Sequence, residues 1–237
     1  MNVLGIIPAR KDSKRVINKN LRLLGGKPLI QHTIEQALES KSLDRFIVST
    51  DSEDIVELSM NLGANAPFIR PTELATDEAA DRGYLLHAVE WLKENEEYEP
   101  DAVMILRPTA PLRASGMIDR MIADFSTSSA ESMRGVTRVE GVFHPFWMFT
   151  QDSNGKAKPL DPENSTEKYY QSQLLPPVYR LNGVVDIIST ELILNGSGPL
   201  YGDEMHLFEC DARSSMDIDT EDDLIMCESM LKQQSGK

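Results

Sequence analysis

From the N-terminus to about residue 139, short apolar runs alternate with stretches whose apolar residues recur at helical spacing. That alternation restricts the fold more than any other feature of the chain. Val3–Ala9, "VLGIIPA", is a continuous apolar run of the kind a buried parallel strand requires. Further strands are predicted over Arg45–Thr50, Ala66–Ile69, Ala102–Leu106 and Ser132–Val139. Helices are predicted over Leu29–Leu38, Ser52–Leu62 and Asp81–Lys93, and from about Ser115 to Asp124. Ser52 is placed as an N-cap, with Glu53 and Asp54 in the first turn. Four or five such units predict an α/β fold with a doubly wound, mostly parallel sheet, whose ligands bind beyond the carboxyl ends of the strands.

The alternation breaks at Gly141. From there to Pro177 the chain is rich in proline, aromatic and polar residues, and "SNGK" (Ser153–Lys156) predicts a hairpin turn. Phe143, Phe146, Trp147, Met148 and Phe149 are nearly consecutive, a density that demands burial. Beyond this insert, Gly183–Ile188 and His206–Cys210 read as strands and Thr220–Leu231 as a closing helix. The 237 residues suit one domain, 1–237, with 141–177 as its appendage.

Charge is distributed unevenly. The chain carries 38 acidic and 24 basic side chains, a formal net charge of -14. Yet Arg10, Lys11, Lys14, Arg15 and Lys19 crowd the loop directly after the first strand. So acidic a protein repels nucleic-acid backbones and anionic membranes, so neither is expected as a partner, and the cations are read as serving a local anion. The loop matches neither G-x-x-x-x-G-K-[ST] nor G-x-G-x-x-G, so it is neither a Walker phosphate loop nor a dinucleotide fingerprint. A triphosphate would be held by side chains instead, Arg10 forking onto two oxygens and Lys14 and Lys19 acting as point charges. The plainer reading is a solvated basic loop. Cys210 and Cys227 are in no metal or redox spacing and are read as reduced thiols. With no apolar run long enough to span a bilayer and no basic leader, a cytoplasmic protein is expected.

"IIPARKDSKRVINKN" resembles the opening motif of the acylneuraminate cytidylyltransferases, the CMP-sialic acid synthetase family. The resemblance continues in family order through "LGGKPLIQHTIEQAL", "FIVSTDSEDI", "RPTELATD", "LRPTAPLR", "YRLNGVVDII" and "SMDIDTEDDL". It implies a Rossmann-like nucleotidyltransferase domain with a protruding dimerisation arm, the 141–177 insert, and hence a homodimer. The implied reaction joins CTP to a nine-carbon 2-keto acid sugar of the sialic, legionaminic or pseudaminic type, releases pyrophosphate and requires Mg2+. By the same resemblance Arg10 and Lys19 bind the triphosphate, Ser13, Lys14 and Asn20 flank it, and Arg70 and Thr76 hold cytidine. Arg107, Arg180 and Asn182 fall near the acceptor sugar. Many relatives carry glutamine where this chain has Arg107, and a planar cation recognises different groups from an amide.

Asp217 and Asp219 match the family's metal-binding aspartates. In an extended segment, residues two apart share a face, and two hard carboxylates there suit magnesium. Asp219 is accordingly grouped with Arg10 and Lys19 as catalytic. Glu221, Asp222 and Asp223 need no such role, because acids are favoured at a helix N-terminus. The four histidines, His32, His87, His144 and His206, are scattered and read as structural. Tyr169 and Tyr170 either border the sugar pocket or pack beneath the insert. The competing readings are a related enzyme acting on an eight-carbon keto-acid sugar or a polyol phosphate, and a nucleotide-binding module without catalysis. The Lys19–Asn20 pair argues against the first, and retention of Arg10, Lys19, Asp217 and Asp219 against the second.

Overall fold

A computed structural model of the protein describes residues 1–164 and 166–235. Ser165 of the 141–177 insert and the last two residues of the 1–237 domain lie outside the described residues. In chain order the strands are β1 (Val3–Pro8), β2 (Leu23–Leu24), β3 (Lys27–Pro28), β4 (Arg45–Ser49), β5 (Ala102–Ile105), β6 (Ser132–Arg138), β7 (Phe149–Gln151), β8 (Ala157–Pro159), β9 (Tyr179–Ser189) and β10 (Met205–Glu209). The helices are α1 (Leu29–Glu39), α2 (Glu53–Asn61), α3 (Asp81–Glu96), α4 (Met117–Thr127), α5 (Thr190–Leu194) and α6 (Glu221–Ser235).

Six strands build the central sheet in the order β10-β6-β9-β5-β1-β4. β1 pairs in parallel with β4 and β5, and β10 with β6. β9 runs antiparallel between β5 and β6, so the sheet is mostly parallel with one reversed strand at its centre. The 141–177 excursion leaves the end of β6 and delivers the chain back at that same end, which reverses the direction of β9.

Helices cover both faces. Ala102 and Met104 of β5 point into the cluster formed with Ile30 and Ile34 of α1 and Met121 and Phe125 of α4. Val103 and Ile105 point the other way, onto Leu85, Ala88 and Leu92 of α3. A third cluster joins Leu24 and Leu29 to Ile218, Leu224 and Cys227, and so clamps α6 and the segment before it against the β2–β3 hairpin and the start of α1. The two cysteines are free and buried.

Two local expectations need correction. Ala66–Ile69 forms no strand of its own. Only the isolated bridges Ile47↔Asn65 and Thr50↔Ile69 tie this segment to β4, and Pro67 within it has no N–H to give. Ser52 occupies the N-cap position of α2, but its side chain makes no capping bond. Thr220 does cap α6: its hydroxyl accepts from the Asp223 N–H at 3.2 Å while the Asp223 carboxylate accepts from the Thr220 N–H at 2.8 Å.

The insert carries the expected hairpin, with β7 and β8 antiparallel and the turn between them closed by the Gly155 N–H donating to the Asp152 carbonyl. Phe146 packs on His144 and on Tyr169, whose carbonyl accepts from the Trp147 indole at 2.5 Å, so Tyr169 belongs to the interior of the arm. Val142, Phe143 and Phe149 remain exposed.

Candidate active site

The carboxyl ends of β1, β4 and β5 converge on a cavity of about 300 Å³. Its wall includes Arg10, Ser13, Lys19 and Asn20 from the loop after β1, Arg70 and Thr76 from the segment after β4, and Arg107 from the loop after β5. Seven of the residues singled out from the sequence therefore meet in one place. Lys14 stands at its rim, largely exposed.

The loop is held by bonds that leave Arg10 and Lys19 facing the cavity. The Ala9 N–H donates to the Ser49 carbonyl at 3.0 Å, and the Lys11 N–H to Asp51 at 2.7 Å. Asn20 spends its amide N–H on the Arg10 carbonyl at 2.9 Å, so it braces the loop. Arg10 and Lys14 share one carboxylate, Asp77, at 2.6 and 2.5 Å. Lys19 reaches across to the C-terminal segment, donating to the Ile218 carbonyl at 2.7 Å and to Asp219 at 3.0 Å.

Arg70 is buried and, among the described residues, has no carboxylate partner. Its guanidinium donates to the Ser49 hydroxyl and carbonyl and lies 4.7 Å from the centre of the Tyr84 ring. Burial lowers its pKa below the usual arginine range, as expected of a cation withdrawn from water. Arg107 is differently placed. Burial alone would lower its pKa, but Asp186, Tyr84 and Asp81 outweigh it and hold the guanidinium well above the usual range. Its two terminal nitrogens donate to Asp186 at 2.8 Å and Asp81 at 2.6 Å. Four cations and two carboxylates line the cavity, an excess of positive charge inside an acidic chain.

Asp217 and Asp219 flank Ile218, which is fully buried, so the two carboxylates share the opposite face. The Ile218 N–H donates to the Thr109 carbonyl at 2.8 Å and pins this segment beside the cavity. One side of Asp217 opens to solvent, yet desolvation by the surrounding protein raises its carboxyl above the ordinary range, and the charge of Asp219 adds to the rise against a hydrogen bond from Thr109. Asp219 is paired with Lys19 at 3.0 Å and Arg15 at 3.5 Å, whereas among the described residues Asp217 makes no ion pair. Among the described residues no group of three or more histidine, cysteine or acidic side chains gathers as a metal site.

The structure does not bring Arg180 and Asn182 into this cavity. Asn182 is buried, with its amide donating to Thr137 and Ser215 and its carbonyl accepting from the Val184 N–H, so the side chain is spent inside the sheet. Arg180 lines a separate groove of about 950 Å³ bounded by Phe143, Pro145 and Met148 of the arm. Conversely, Asp77, Asp81 and Tyr84 line the cavity without having been singled out. Asp186, behind Arg107, did leave a signal: a lone acid inside the apolar run "GVVDII" must find a cation once buried.

A mostly parallel sheet with a cation-lined cavity at its carboxyl edge defines a nucleotide-binding α/β protein. The sequence model for "Cytidylyltransferase" matches residues 4–227, and the chain belongs to that family. It is 32% identical over 235 residues to the CMP-N,N'-diacetyllegionaminic acid synthase of Legionella pneumophila, covering 98% of this chain and 97% of the relative. It is 34% identical over 175 residues to a pseudaminic acid cytidylyltransferase of Campylobacter jejuni, covering 73% and 71%. An N-acylneuraminate cytidylyltransferase of Streptococcus agalactiae is 32% identical over 227 residues, which span 95% of this chain and 52% of that longer protein. Among solved structures, a CMP:2-keto-3-deoxy-manno-octonic acid synthetase complexed with CTP superposes with a TM-score of 0.73 at 16% identity, over 99% of this chain and 100% of the other. At that identity the likeness establishes the fold.

Proposed function

We propose that the protein transfers the cytidylyl group of CTP to a nine-carbon 2-keto acid sugar. The anomeric hydroxyl oxygen attacks the α-phosphorus and gives up its proton to solvent, the bond from that phosphorus to the bridging oxygen breaks, and pyrophosphate leaves. The observation that carries the reading is the meeting of Arg10, Lys19 and Arg70 in one cavity beside the Asp217–Asp219 pair, in a chain of the cytidylyltransferase family. Arg10 and Lys19, with Ser13 and Lys14, hold the triphosphate and stabilise charge on the departing pyrophosphate. Asn20 keeps the loop in shape, and Arg70 and Thr76 border the base. Arg107 faces the acceptor as an already neutralised cation, and Arg180 serves the sugar only by way of the groove beside the arm. The full-length match to the legionaminic acid synthase favours a nine-carbon acceptor over an eight-carbon one.

The residues present fit magnesium. Asp217 and Asp219 offer two oxygens on one face, Asp219 already paired with Lys19 and Arg15 and Asp217 raised by desolvation, and magnesium is commonly held by one or two carboxylates plus substrate phosphates and waters. When bound, the ion would neutralise phosphate oxygens in the transition state. The exposed Val142, Phe143 and Phe149 support an arm that packs on a second subunit in a two-fold homodimer, and the free thiols suit a cytoplasmic setting. The test is Asp219→Asn. It should lose at least about 100-fold in magnesium-dependent turnover with an unchanged far-ultraviolet spectrum. A fully active variant would remove Asp219 from the metal site.

A further inference from the structure

We propose that Asp77 is a resident anion of the phosphate subsite, one that neutralises Arg10 and Lys14 until a nucleotide or pyrophosphate displaces it. This rests on the reading that the loop after β1 receives the triphosphate. Asp77 belongs to another segment, the turn that follows the 3-10 helix Thr72–Leu74. Its two oxygens are divided, Oδ1 at 2.6 Å from Arg10 Nη1 and Oδ2 at 2.5 Å from Lys14 Nζ. A phosphate group engages a pair of cations in the same way. The two cations in turn hold the Asp77 carboxyl below the ordinary aspartate range.

Two observations separate this contact from a structural ion pair. The Lys14 side chain is 83% exposed and that of Asp77 34%, whereas Asp186, which anchors Arg107, is 1% exposed. Ion pairs in water hold little and exchange freely; buried ones do not. The loop also keeps its position without Asp77, through Asn20 on the Arg10 carbonyl and Asp51 on the Lys11 N–H. What Asp77 supplies is a tethered charge that competes with phosphate oxygens for the same donors. Such a competitor weakens CTP and pyrophosphate alike and hastens release of the pyrophosphate.

The experiment is calorimetric titration of the intact protein with CTP and, separately, with inorganic pyrophosphate. Asp77→Asn and Asp77→Ser should bind both ligands about two- to tenfold more tightly than the wild type. Equal or weaker binding by well-folded variants would overturn the proposal. A measurement on the wild type needs no variant: the Asp77 carboxyl carbon resonance should move toward that of a free aspartate as pyrophosphate is added. A resonance that stays still while pyrophosphate binds would overturn the proposal too. If Arg10→Ala leaves pyrophosphate affinity unchanged, the phosphate reading itself fails and Asp77 falls with it. If Arg10→Ala weakens pyrophosphate while the Asp77 variants do not tighten it, the phosphate reading stands and the resident anion alone is refuted.

Discussion

Asp186→Asn removes the charge on which one wall of the cavity is organised. Its carboxylate is 1% exposed and accepts from Arg107 at 2.8 Å, from Arg134 at 3.5 Å and from the Tyr201 hydroxyl at 3.2 Å. Asparagine has nearly the same shape, so packing is preserved and the loss is electrostatic. Removing one partner of a buried ion pair costs about 3–5 kcal/mol, because the other charge is stranded. The cost here is smaller. Arg107 keeps Asp81 at 2.6 Å, and Arg134 is partly solvated and lies 3.8 Å from the centre of the Tyr201 ring. A loss of about 2–3 kcal/mol is expected, which for a chain of this size lowers the melting temperature by roughly 5–10 °C. Differential scanning calorimetry measures it directly. Arg107→Gln in the same background removes a stranded cation and should restore part of the loss, with a coupling of at least about 1 kcal/mol in the double-mutant cycle. If Asp186→Asn melts within about 1 °C of the wild type, or the two changes simply add, then Arg107 is not held by Asp186 as described.

Three further outcomes follow from other parts of the fold. Asp119 accepts from the Ser40 hydroxyl and the Lys41 and Ser42 N–H groups; burial alone would raise its carboxyl, but these bonds hold it below the ordinary range. Asp119→Ala should cost about 1–2 kcal/mol at neutral pH. Because the folded-state carboxyl is depressed, that advantage of the wild type is complete above the unfolded value of about 3.9 and vanishes as pH falls through the lower folded one, which paired urea titrations at pH 7 and pH 3 would show. Gly135 sits at the irregularity between β6 and β9, where an added Cβ would come within 2.7 Å of the Val185 carbonyl and 2.8 Å of the Asn182 side chain. Gly135→Ala should therefore destabilise by about 1–3 kcal/mol, and an unchanged denaturation midpoint would contradict the close approach. Replacing Phe143–Gln173 by a short glycine-serine linker should yield a monomer in light scattering that still binds CTP; a variant that stays dimeric shows that the arm is not the interface.

Much of the framework was legible because it is local. The helix expected over Leu29–Leu38 runs to Glu39, that over Asp81–Lys93 runs to Glu96, and the strand at Ala102–Leu106 ends one residue early. In the helices a single period of apolar residues decides the element and its buried face, and in the strand a continuous apolar run matches burial on both faces. The reversal of β9 was not legible, since it depends on where the 141–177 excursion returns the chain. The cation loop was recognisable as a site, but its partners were not. Asp77 lies far from Arg10 in sequence and resembles any other acid of an acidic chain, while Asp219 was singled out as a metal ligand and not as the partner of Lys19. The inward direction of Asn182 was not legible for a different reason. A motif fixes a position along a strand and not the direction of a side chain, and in β9 the exposed Arg180 and Leu181 are followed by a residue that turns inward.

The central claim is tested most directly by pyrophosphate release, with mass spectrometry of the products, using CTP and ATP in turn against sialic, legionaminic and pseudaminic acids. The account predicts a CMP-sugar from CTP with at least one of these acids, strict dependence on the sugar, and little turnover with ATP. Comparable rates with ATP, or CTP bound without product from any of the three, would contradict it.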